Sequence, residues 1–241
     1  MSLGEKIHAL RRKKNLKQVD LANALQVSPQ AVSKWEKDGN APDILLIVKL
    51  ARLFNVTTDY LLGVHDPKQG IFEATVFYSS LRDFAKRSTQ IDSQELAAAT
   101  NVIFHHLTEE VLKYDGVPVK YVGDGFLSFF SGASHADRAV QAAFRSKKII
   151  SNDALLIALN SGNIYLGSIG HPDYSSRDIL GETVNLAFLS MPWVEKNCAS
   201  GIGLTENTFE RLEKKYPVNK KAKVYLSSIR SNVKLIEIKK A

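Results

Sequence analysis

The chain has 241 residues, which is enough for one large domain or two smaller ones. Its hydrophobic content of 44% and charged content of 24% are ordinary for a protein with a buried core, and its formal net charge of +7 favours a polyanionic partner. A single cysteine, Cys198, excludes an internal disulfide framework. The longest apolar run, residues 44–48, is far too short to span a bilayer, so we expect a cytoplasmic protein with no membrane partner.

The first 64 residues predict a series of short helices. Apolar residues recur at helical spacing in two consecutive segments, first Leu3, Ile7 and Leu10 and then Val19, Ala22 and Leu25. Ser28 is suited to N-cap a third helix, and Pro29 is suited to its first turn. In that helix Val32 and Trp35 point towards a core. Two further helices are expected after Asp43 and after Thr57 or Thr58.

Two short helices joined by a tight turn, the second with exposed amide, hydroxyl and ammonium groups, are typical of a helix-turn-helix. The segments 18–25, 27–28, 32–36 and 55–63 resemble the Cro/repressor-like (XRE-type) family. The resemblance implies binding to a double-stranded DNA operator. Gln18 would contact phosphate, Asn40 would lie near the DNA backbone, and the third helix would face base edges. The residues assigned to this interface are Gln18, Ser28, Gln30, Ser33, Lys34 and Asn40.

The chemistry and charge of this segment agree with the assignment. Glutamine is suited to hydrogen bonding with adenine, and lysine is suited to guanine. Residues 1–64 carry ten Lys/Arg against six Asp/Glu, an excess that favours binding to phosphate.

Residues 65–71 combine proline, glycine and polar side chains between two apolar patterns, so we predict a linker there and domains at 1–64 and 72–241. In the second domain, strand-like and helical runs alternate. They include helices near 93–114 and 136–148, a hairpin around Gly123-Asp124-Gly125, and strands near 154–160 and 164–169. We therefore predict a multidomain chain, with an all-α helix-turn-helix domain followed by an α/β domain with a mixed or antiparallel sheet.

Three segments of the second domain resemble the class III adenylate/guanylate cyclase catalytic domain. They are LKYDGVPVKYVGDGFLSFF (112–130), NSGNIYLGSIG (160–170) and RDILGETVNLA (177–187). The resemblance covers nearly all of residues 72–238 and implies a ferredoxin-like core and a head-to-tail homodimer. In that family the nucleotide sites lie across the dimer interface, with metal ligands from one subunit and base-contacting residues from the other.

Several residues match positions with known roles in that family. Lys120 matches the purine-contacting lysine, and Asp178 matches the carboxylate that contacts adenine. An ammonium group can donate to a ring nitrogen, while a carboxylate can accept from the exocyclic amine. Asn185 matches the asparagine that orients the ribose, and Asp124 matches one of two metal-binding aspartates. The resemblance thus assigns nucleotide binding to Lys120, Asp178 and Asn185, and makes Asp124 a vestigial metal ligand.

Three positions depart from the cyclase motif. Ser80 stands where the first metal-binding aspartate is expected, Asp83 replaces a glycine beside the triphosphate, and Leu189 replaces an arginine that stabilises transition-state charge. Two Mg²⁺ ions need several anionic oxygen ligands, and losing a positive donor costs on the order of 10²–10³ in rate. Neither Asp83 as a substitute ligand nor Arg177 as a substitute cation sits where the motif requires it. We therefore predict that the chain is not an enzyme and has no catalytic residues or bound metal.

The sequence thus predicts a dimeric, DNA-binding transcriptional regulator. Its degenerate cyclase-like domain would dimerise and bind an adenine nucleotide or a cyclic nucleotide as an effector. Two alternatives are open at this stage. One is an active class III adenylate cyclase fused to a DNA-binding domain. The other is a constitutive regulator whose cyclase-like domain is only a dimerisation scaffold, with Lys120 and Asp178 as relics.

Overall fold

The computed structural model describes residues 2–63, 70–150, 154–171 and 174–239. The chain divides into two compact units, residues 1–69 and 70–241, which are called here the N-terminal and C-terminal units. Most of the predicted linker lies outside the described residues, and its last residue, Ile71, begins the first strand. No helix in the described part of the chain is long and apolar enough to cross a membrane.

The described part of the N-terminal unit is all helical. Its helices are α1 (Leu3–Lys13), α2 (Gln18–Leu25), α3 (Pro29–Glu36), α4 (Ile44–Phe54) and α5 (Thr58–Leu62). Short polar side chains fix the helix starts as the sequence predicts: Ser28 Oγ accepts from the Ala31 N–H, and the Asp43 carboxylate accepts from the Leu46 N–H. The apolar faces meet in one core that contains Ile7, Leu21, Ala22, Leu25, Val32, Trp35, Leu50, Phe54 and Leu61.

The C-terminal unit alternates strands and helices. Its strands are β1 (Ile71–Leu81), β2 (Val117–Val122), β3 (Gly125–Ser131), β4 (Leu155–Ile169), β5 (Ser176–Leu180), β6 (Ile202–Thr205), β7 (Val218–Leu226) and β8 (Ser231–Ile238). Its α-helices are α6 (Phe84–Ser88), α7 (Ser93–Lys113), α8 (His135–Ile150), α9 (Glu182–Asn197) and α10 (Glu206–Phe209), and a 3₁₀ turn spans Ser227–Ile229.

The strands form one mixed sheet in the order β2-β3-β1-β4-β6-β8-β7, with β5 paired to β4 outside that path. The β4–β6 pair is parallel, and the other ladders between described strands are antiparallel. Side chains of α7 and α8 pack with Phe77, Phe126 and Phe130 on one face of the sheet. Side chains of α9 pack with Leu127, Phe129 and Ile164 on the other face. The predicted α/β architecture is confirmed.

One prediction about the strands is wrong, because β4 runs without a break where two strands were expected. Gly162 continues the ladder opposite Ala74. The glycine allows a close approach of α9, since a Cβ atom at this position would lie 2.7 Å from Thr183 Oγ1. The distal end of β4 pairs with β5, and Gly167 lies opposite Asp178. The long strand therefore supports the hairpin that carries Asp178.

Candidate functional site

Helix α3 presents a polar face away from the core of the N-terminal unit. Val32 and Trp35 are buried, with 0% and 4% exposure. Gln30 and Lys34 are exposed, and Ser33 is half-buried beside them. Residues three and four apart are neighbours on a helix surface. The structure therefore brings together the three residues that the sequence assigned to base edges.

Two other residues that the sequence assigned to the DNA interface, Ser28 and Asn40, lie before and after this helix. Ser28 caps α3 through its hydroxyl, 3.2 Å from the Ala31 nitrogen. Asn40 is exposed in the connection between α3 and α4. Because the cap fixes the first turn of α3, the direction of the polar face is set by local sequence.

A buried carboxylate joins the first three helices. The Glu36 side chain is 3% exposed. It accepts hydrogen bonds from Arg11 Nε at 2.5 Å, Arg11 Nη2 at 2.9 Å and Gln18 Nε2 at 2.8 Å, and it lies 2.9 Å from His8 Nδ1. Burial raises the pKa of Glu36, but the hydrogen bonds from Arg11, Gln18 and His8 outweigh it and lower the pKa to about 2.

This cluster adds to what the sequence indicated. Gln18 was assigned to phosphate, and the structure places it at the start of α2 with its side-chain amide held by Glu36. Arg11 belongs to a run of basic residues at the end of α1, but it is only 6% exposed. Arg11 and Glu36 cannot be recognised as a buried pair from the sequence, because their burial depends on contacts between helices.

In the C-terminal unit, the β2–β3 hairpin brings Asp124 beside β1. Asp124 Oδ2 accepts from the Ser80 hydroxyl at 2.6 Å and from the Leu81 N–H at 2.9 Å. Gly123 adopts a φ of +59° in the turn, which favours glycine. The two positions that the cyclase resemblance assigned to metal binding are therefore adjacent, one as a carboxylate and one as a hydroxyl.

The donor set around Asp124 does not fit the pair of divalent ions that the cyclase resemblance implies. Its near neighbours are the hydroxyl of Ser80 and a backbone N–H, and both donate hydrogen bonds to the carboxylate. Within the described ranges, no group of three or more His, Cys, Asp or Glu side chains is arranged to hold a metal. Hard divalent cations favour several anionic oxygens, so one carboxylate and one hydroxyl are a poor site.

Tyr78 is a further residue near this turn that the sequence analysis did not identify. Its ring packs on Phe188 with a centroid distance of 3.9 Å, and a Cβ atom at Gly125 would lie 2.9 Å from its hydroxyl. Burial raises the pKa of Tyr78, and the nearby Asp124 carboxylate raises it further. The aromatic pair joins β1 to α9 next to the Asp124 turn.

The two residues assigned to adenine meet directly. The Lys120 ammonium donates to Asp178 Oδ2, which forms an ion pair between β2 and β5. The Asp178 side chain is 12% exposed and that of Lys120 is 41% exposed. Asp178 Oδ1 also accepts from the Ile179 N–H at 2.8 Å. Residues far apart in sequence thus form one complementary donor–acceptor pair that solvent can reach.

The remaining assigned positions surround α9 and the end of β1. Asn185 is exposed in the first turn of α9, and Leu189 is half-buried one turn later. Asp83 is exposed, with a φ of +55°, at the start of α6. Arg177 is exposed next to Asp178, and alternation along β5 directs the two side chains to opposite faces. Arg177 therefore does not share a face with Asp178, the carboxylate that the cyclase resemblance assigned to adenine.

Comparison with known proteins defines both parts of the chain. Residues 67–239 match the family model for the adenylate and guanylate cyclase catalytic domain, and residues 7–61 match a helix-turn-helix model. The chain therefore belongs to the adenylate and guanylate cyclase catalytic domain family, with a helix-turn-helix segment before that domain. Both resemblances noted from the sequence are confirmed.

Two curated relatives match the N-terminal unit. The HTH-type transcriptional regulator ImmR of Bacillus subtilis (strain 168) is 40% identical over 63 residues, which are 26% of this chain and 50% of ImmR. The HTH-type transcriptional activator BcrR of Enterococcus faecalis is 42% identical over 63 residues, which are 26% of this chain and 31% of BcrR. The chain thus spans half, or about a third, of the curated relatives that it matches.

Solved structures match the C-terminal unit. The adenylyl cyclase CyaB from P. aeruginosa has a TM-score of 0.62 and 22% identity, over 71% of this chain and 95% of that one. The guanylate cyclase domain of RhGC from Catenaria anguillulae has a TM-score of 0.61 and 20% identity, over 69% of this chain and 96% of that one. At these identities the matches establish the cyclase fold.

Proposed function

We propose that the protein is a homodimeric, DNA-binding transcriptional regulator whose C-terminal unit binds an adenine nucleotide or a cyclic nucleotide as an effector and does not convert it. The observation that carries this proposal is that only some residues of the cyclase site are present. The Lys120–Asp178 pair is formed, whereas Asp124 has a serine as its nearest partner and Leu189 stands in place of a cation. Both residues of the base-contacting pair are kept, while the catalytic set is incomplete at Ser80, Asp83 and Leu189.

DNA binding is supported by the outward face of α3. Gln30 and Lys34 are exposed side chains with several donors, and they project from a helix whose start is fixed by Ser28. These side-chain types can form paired hydrogen bonds to adenine and guanine in the major groove. A homodimer would place two such helices on half-sites about 34–36 Å apart. The two curated relatives named above are transcriptional regulators, which agrees with this role.

Removing the two exposed polar side chains of α3, Gln30 and Lys34, should abolish sequence-specific DNA binding. We expect Gln30→Ala with Lys34→Ala to lower affinity for the selected duplex by at least about 30-fold, because each good base contact contributes roughly 1–3 kcal/mol. Fluorescence anisotropy on duplexes selected from a random library by the wild-type chain measures this loss. Lys49→Ala, which removes one exposed lysine from α4, is the matched control and should retain specific binding. Unchanged affinity in the double variant would contradict the assignment of α3.

Nucleotide binding is supported by the chemistry of the ion pair. Adenine presents a ring nitrogen that accepts and an exocyclic amine that donates, which complements the Lys120 ammonium and the Asp178 carboxylate. Each group satisfies the other when no base is present, and Lys120 is exposed enough for a ligand to reach it. Asn185 is exposed on α9, where the cyclase resemblance places the ribose contact. On binding, Lys120 and Asp178 would exchange their contact with each other for contacts with the base.

Each residue of the ion pair should be needed for adenine binding. We expect Lys120→Ala or Asp178→Ala to weaken binding of ATP or cyclic AMP by about 10- to 150-fold, since hydrogen bonds to charged groups contribute roughly 1.5–3 kcal/mol. Isothermal titration calorimetry measures the affinity, and chromatography of the same samples detects any turnover. Arg177→Ala, on the opposite face of β5, is the control and should bind as the wild type does. Wild-type affinity in both Lys120→Ala and Asp178→Ala would exclude this site.

The effector role adds a requirement of its own. A nucleotide that acts as an effector must change the affinity of the protein for DNA, and DNA must change nucleotide affinity by the same factor. The calorimetric titration repeated with the selected duplex present measures that factor. A factor of one, with nucleotide still bound, would show that the C-terminal unit binds nucleotide without changing the affinity of the protein for DNA.

A further inference from the structure

Strands β7 and β8 form a strongly basic hairpin at one end of the described sheet. Residues 214–239, which include this hairpin, contain eight Lys/Arg and one acidic residue, Glu237. All eight basic side chains are exposed, whereas Glu237 is only 1% exposed. The charge that this segment presents to solvent is therefore positive throughout. Such an excess of basic side chains on one element is typical of a surface that binds a polyanion.

Three of these lysines lie on one face of the hairpin. Lys221 and Lys223 are alternate residues of β7, so their side chains point to the same face. Lys223 lies directly opposite Lys234 of β8, which places Lys234 on that face as well. Tyr225, which is 60% exposed, is the next residue of β7 on this face. These four residues are called here the basic hairpin face.

The basic hairpin face costs the fold some stability. Like charges that lie directly opposite each other on neighbouring strands are destabilising, and this is the arrangement of Lys223 and Lys234. One carboxylate offsets part of the repulsion, since Glu206 accepts from Lys221 at 3.0 Å and from Lys234 at 2.7 Å. Among the ion pairs between described residues, Lys223 has no carboxylate partner. The face therefore keeps positive charge that its own fold does not neutralise.

Protection of a sheet edge accounts for only part of this pattern. Strand β7 ends the order of the described sheet, and lysines on an edge strand prevent pairing with another chain. Lys221 and Lys223 fit that role. Lys234 does not, because β8 is paired on both sides, with β6 and with β7. A partner that attracts all three lysines explains the whole face.

We propose that the basic hairpin face is a second DNA-binding surface, which contacts the phosphate backbone of duplex DNA without reading its sequence. Half to two-thirds of the hydrogen bonds in protein–DNA interfaces go to the sugar–phosphate backbone, and lysine and tyrosine are among their donors. Protein–protein interfaces, by contrast, are depleted in lysine. DNA is favoured over other polyanions because the same chain carries a helix-turn-helix segment.

The spacing of the lysines suits a phosphate backbone. Alternate residues of β7 begin about 7 Å apart, and the phosphates of one DNA strand follow at about 3.4 Å of helix axis per nucleotide. Lys221 and Lys223 can therefore reach two phosphates of the same strand. This surface differs in its role from α3, which is proposed to select a site by its bases. The hairpin face would raise affinity for any duplex.

Salt-dependent binding of the full-length chain to two duplexes tests this surface. The probes are the duplex selected by the wild-type chain and a duplex of the same length and composition with a scrambled sequence. Fluorescence anisotropy measures both affinities over a range of salt concentrations. The test variant is Lys221→Gln with Lys223→Gln. The matched control is Lys86→Gln with Lys113→Gln, which removes the same charge from exposed lysines on α6 and α7.

We expect the test variant to bind both duplexes more weakly than the wild type does. The deficit should grow about tenfold as salt falls from about 200 mM to 50 mM, because each phosphate contact contributes about 0.9 to the salt slope. The loss should be equal for the two duplexes, since phosphate contacts carry no sequence information. The control variant should bind as the wild type does. The test variant should unfold at no lower temperature than the wild type, because it loses a like-charge repulsion.

Four results would overturn this surface. An equal loss in the control variant would show that net charge alone explains the effect. An unchanged salt dependence in the test variant, or a loss confined to the selected duplex, would exclude a contact with phosphates in general. Aggregation of the test variant in light scattering, with unchanged DNA affinity, would show that the lysines only protect the sheet edge. If only the binding of a single-stranded RNA depended on the two lysines, the partner would be RNA instead of DNA.

A failure of the sequence-specific role gives a different result. If the wild-type chain bound the most enriched duplex and the scrambled duplex equally, but the test variant lost affinity for both, the role of α3 would be excluded and the hairpin surface would stand. If the wild type preferred the selected duplex but the test variant equalled it on both probes, the role of α3 would stand and the hairpin surface would be excluded.

Discussion

Replacing Glu36 by alanine should unfold or strongly destabilise the N-terminal unit. The substitution removes the acceptor of two Arg11 hydrogen bonds and one Gln18 hydrogen bond. Arg11, which is only 6% exposed in the intact protein, then loses its counterion. Breaking a buried ion pair by removing one partner costs about 3–5 kcal/mol, because a charge stays buried without its counterion. A unit of this size has a total stability of only about 5–15 kcal/mol.

Tryptophan fluorescence can follow each unit separately. The chain has two tryptophans, and Trp35 lies in the core of the N-terminal unit, while Trp193 lies in the C-terminal unit. In a Trp193→Phe background, the emission of Trp35 during urea denaturation reports on the N-terminal unit alone. Asp59→Ala is the control, since Asp59 is an exposed carboxylate on α5. A midpoint for Glu36→Ala that equals that of the control would show that the cluster contributes little.

Acid gives an independent measure of the same contact. The pKa of Glu36 is about 2 in the folded unit, below the ordinary value of 4.5. A carboxylate with a lowered pKa contributes stability that is complete above the ordinary value and is lost as pH falls through the folded value. The N-terminal unit should therefore lose on the order of 2–3 kcal/mol between pH 4.5 and pH 2. Trp35 emission in the Glu36→Gln variant should show a smaller dependence on pH over this range.

Restoring the cyclase-motif residues at the three departing positions should create turnover that we expect the wild-type chain to lack. The variant is Ser80→Asp with Asp83→Gly and Leu189→Arg. The first change adds a carboxylate within hydrogen-bonding distance of Asp124, and the last adds a cation on α9 one turn after Asn185. A single positive donor of this kind contributes on the order of 10²–10³ in rate. We expect formation of cyclic AMP from ATP with Mn²⁺ to rise at least about 100-fold, as measured by chromatography.

The same variant carries its own controls. Adding Asp124→Asn should remove the gained activity, because only one anionic side chain would then remain at the turn. Without divalent cations, Ser80→Asp should lower the unfolding temperature reported by Trp193, and Mn²⁺ should restore it. Cyclic AMP production by the wild-type chain at the rate of the triple variant would contradict the proposal that turnover has been lost.

Features set by local sequence could be predicted well. The Ser28-Pro29 pair marks the start of α3, and Gly123-Asp124-Gly125 marks the β2–β3 turn, because caps and tight turns depend on a few neighbouring residues. Lys120 and Asp178 could be assigned to one site only through the family resemblance, since their contact joins two distant strands. The sequence contains the residues, and the sheet brings them together.

Other features could not be predicted because they depend on tertiary contacts. Arg11 has the sequence context of a solvated basic residue, and only packing of α1 against α3 shows that it is buried against Glu36. The unbroken course of β4 depends on its long ladder with β1, which overrides the usual tendency of a serine-glycine pair to end a strand. The exposure of Ile44 and Leu45 runs against their apolar character and depends on how α4 is capped.

The hydrogen bond between Ser80 and Asp124 has a consequence for the history of this fold. Two adjacent aspartates at this turn would repel each other unless a cation lay between them, so an active site of that kind stores electrostatic strain. A serine that donates to the remaining aspartate relieves this repulsion. A serine in place of the aspartate at position 80 is consistent with the general trade-off in which a residue kept for activity weakens the folded state. On the proposal that this chain does not convert nucleotide, the serine would also make the fold at this turn less dependent on a bound cation.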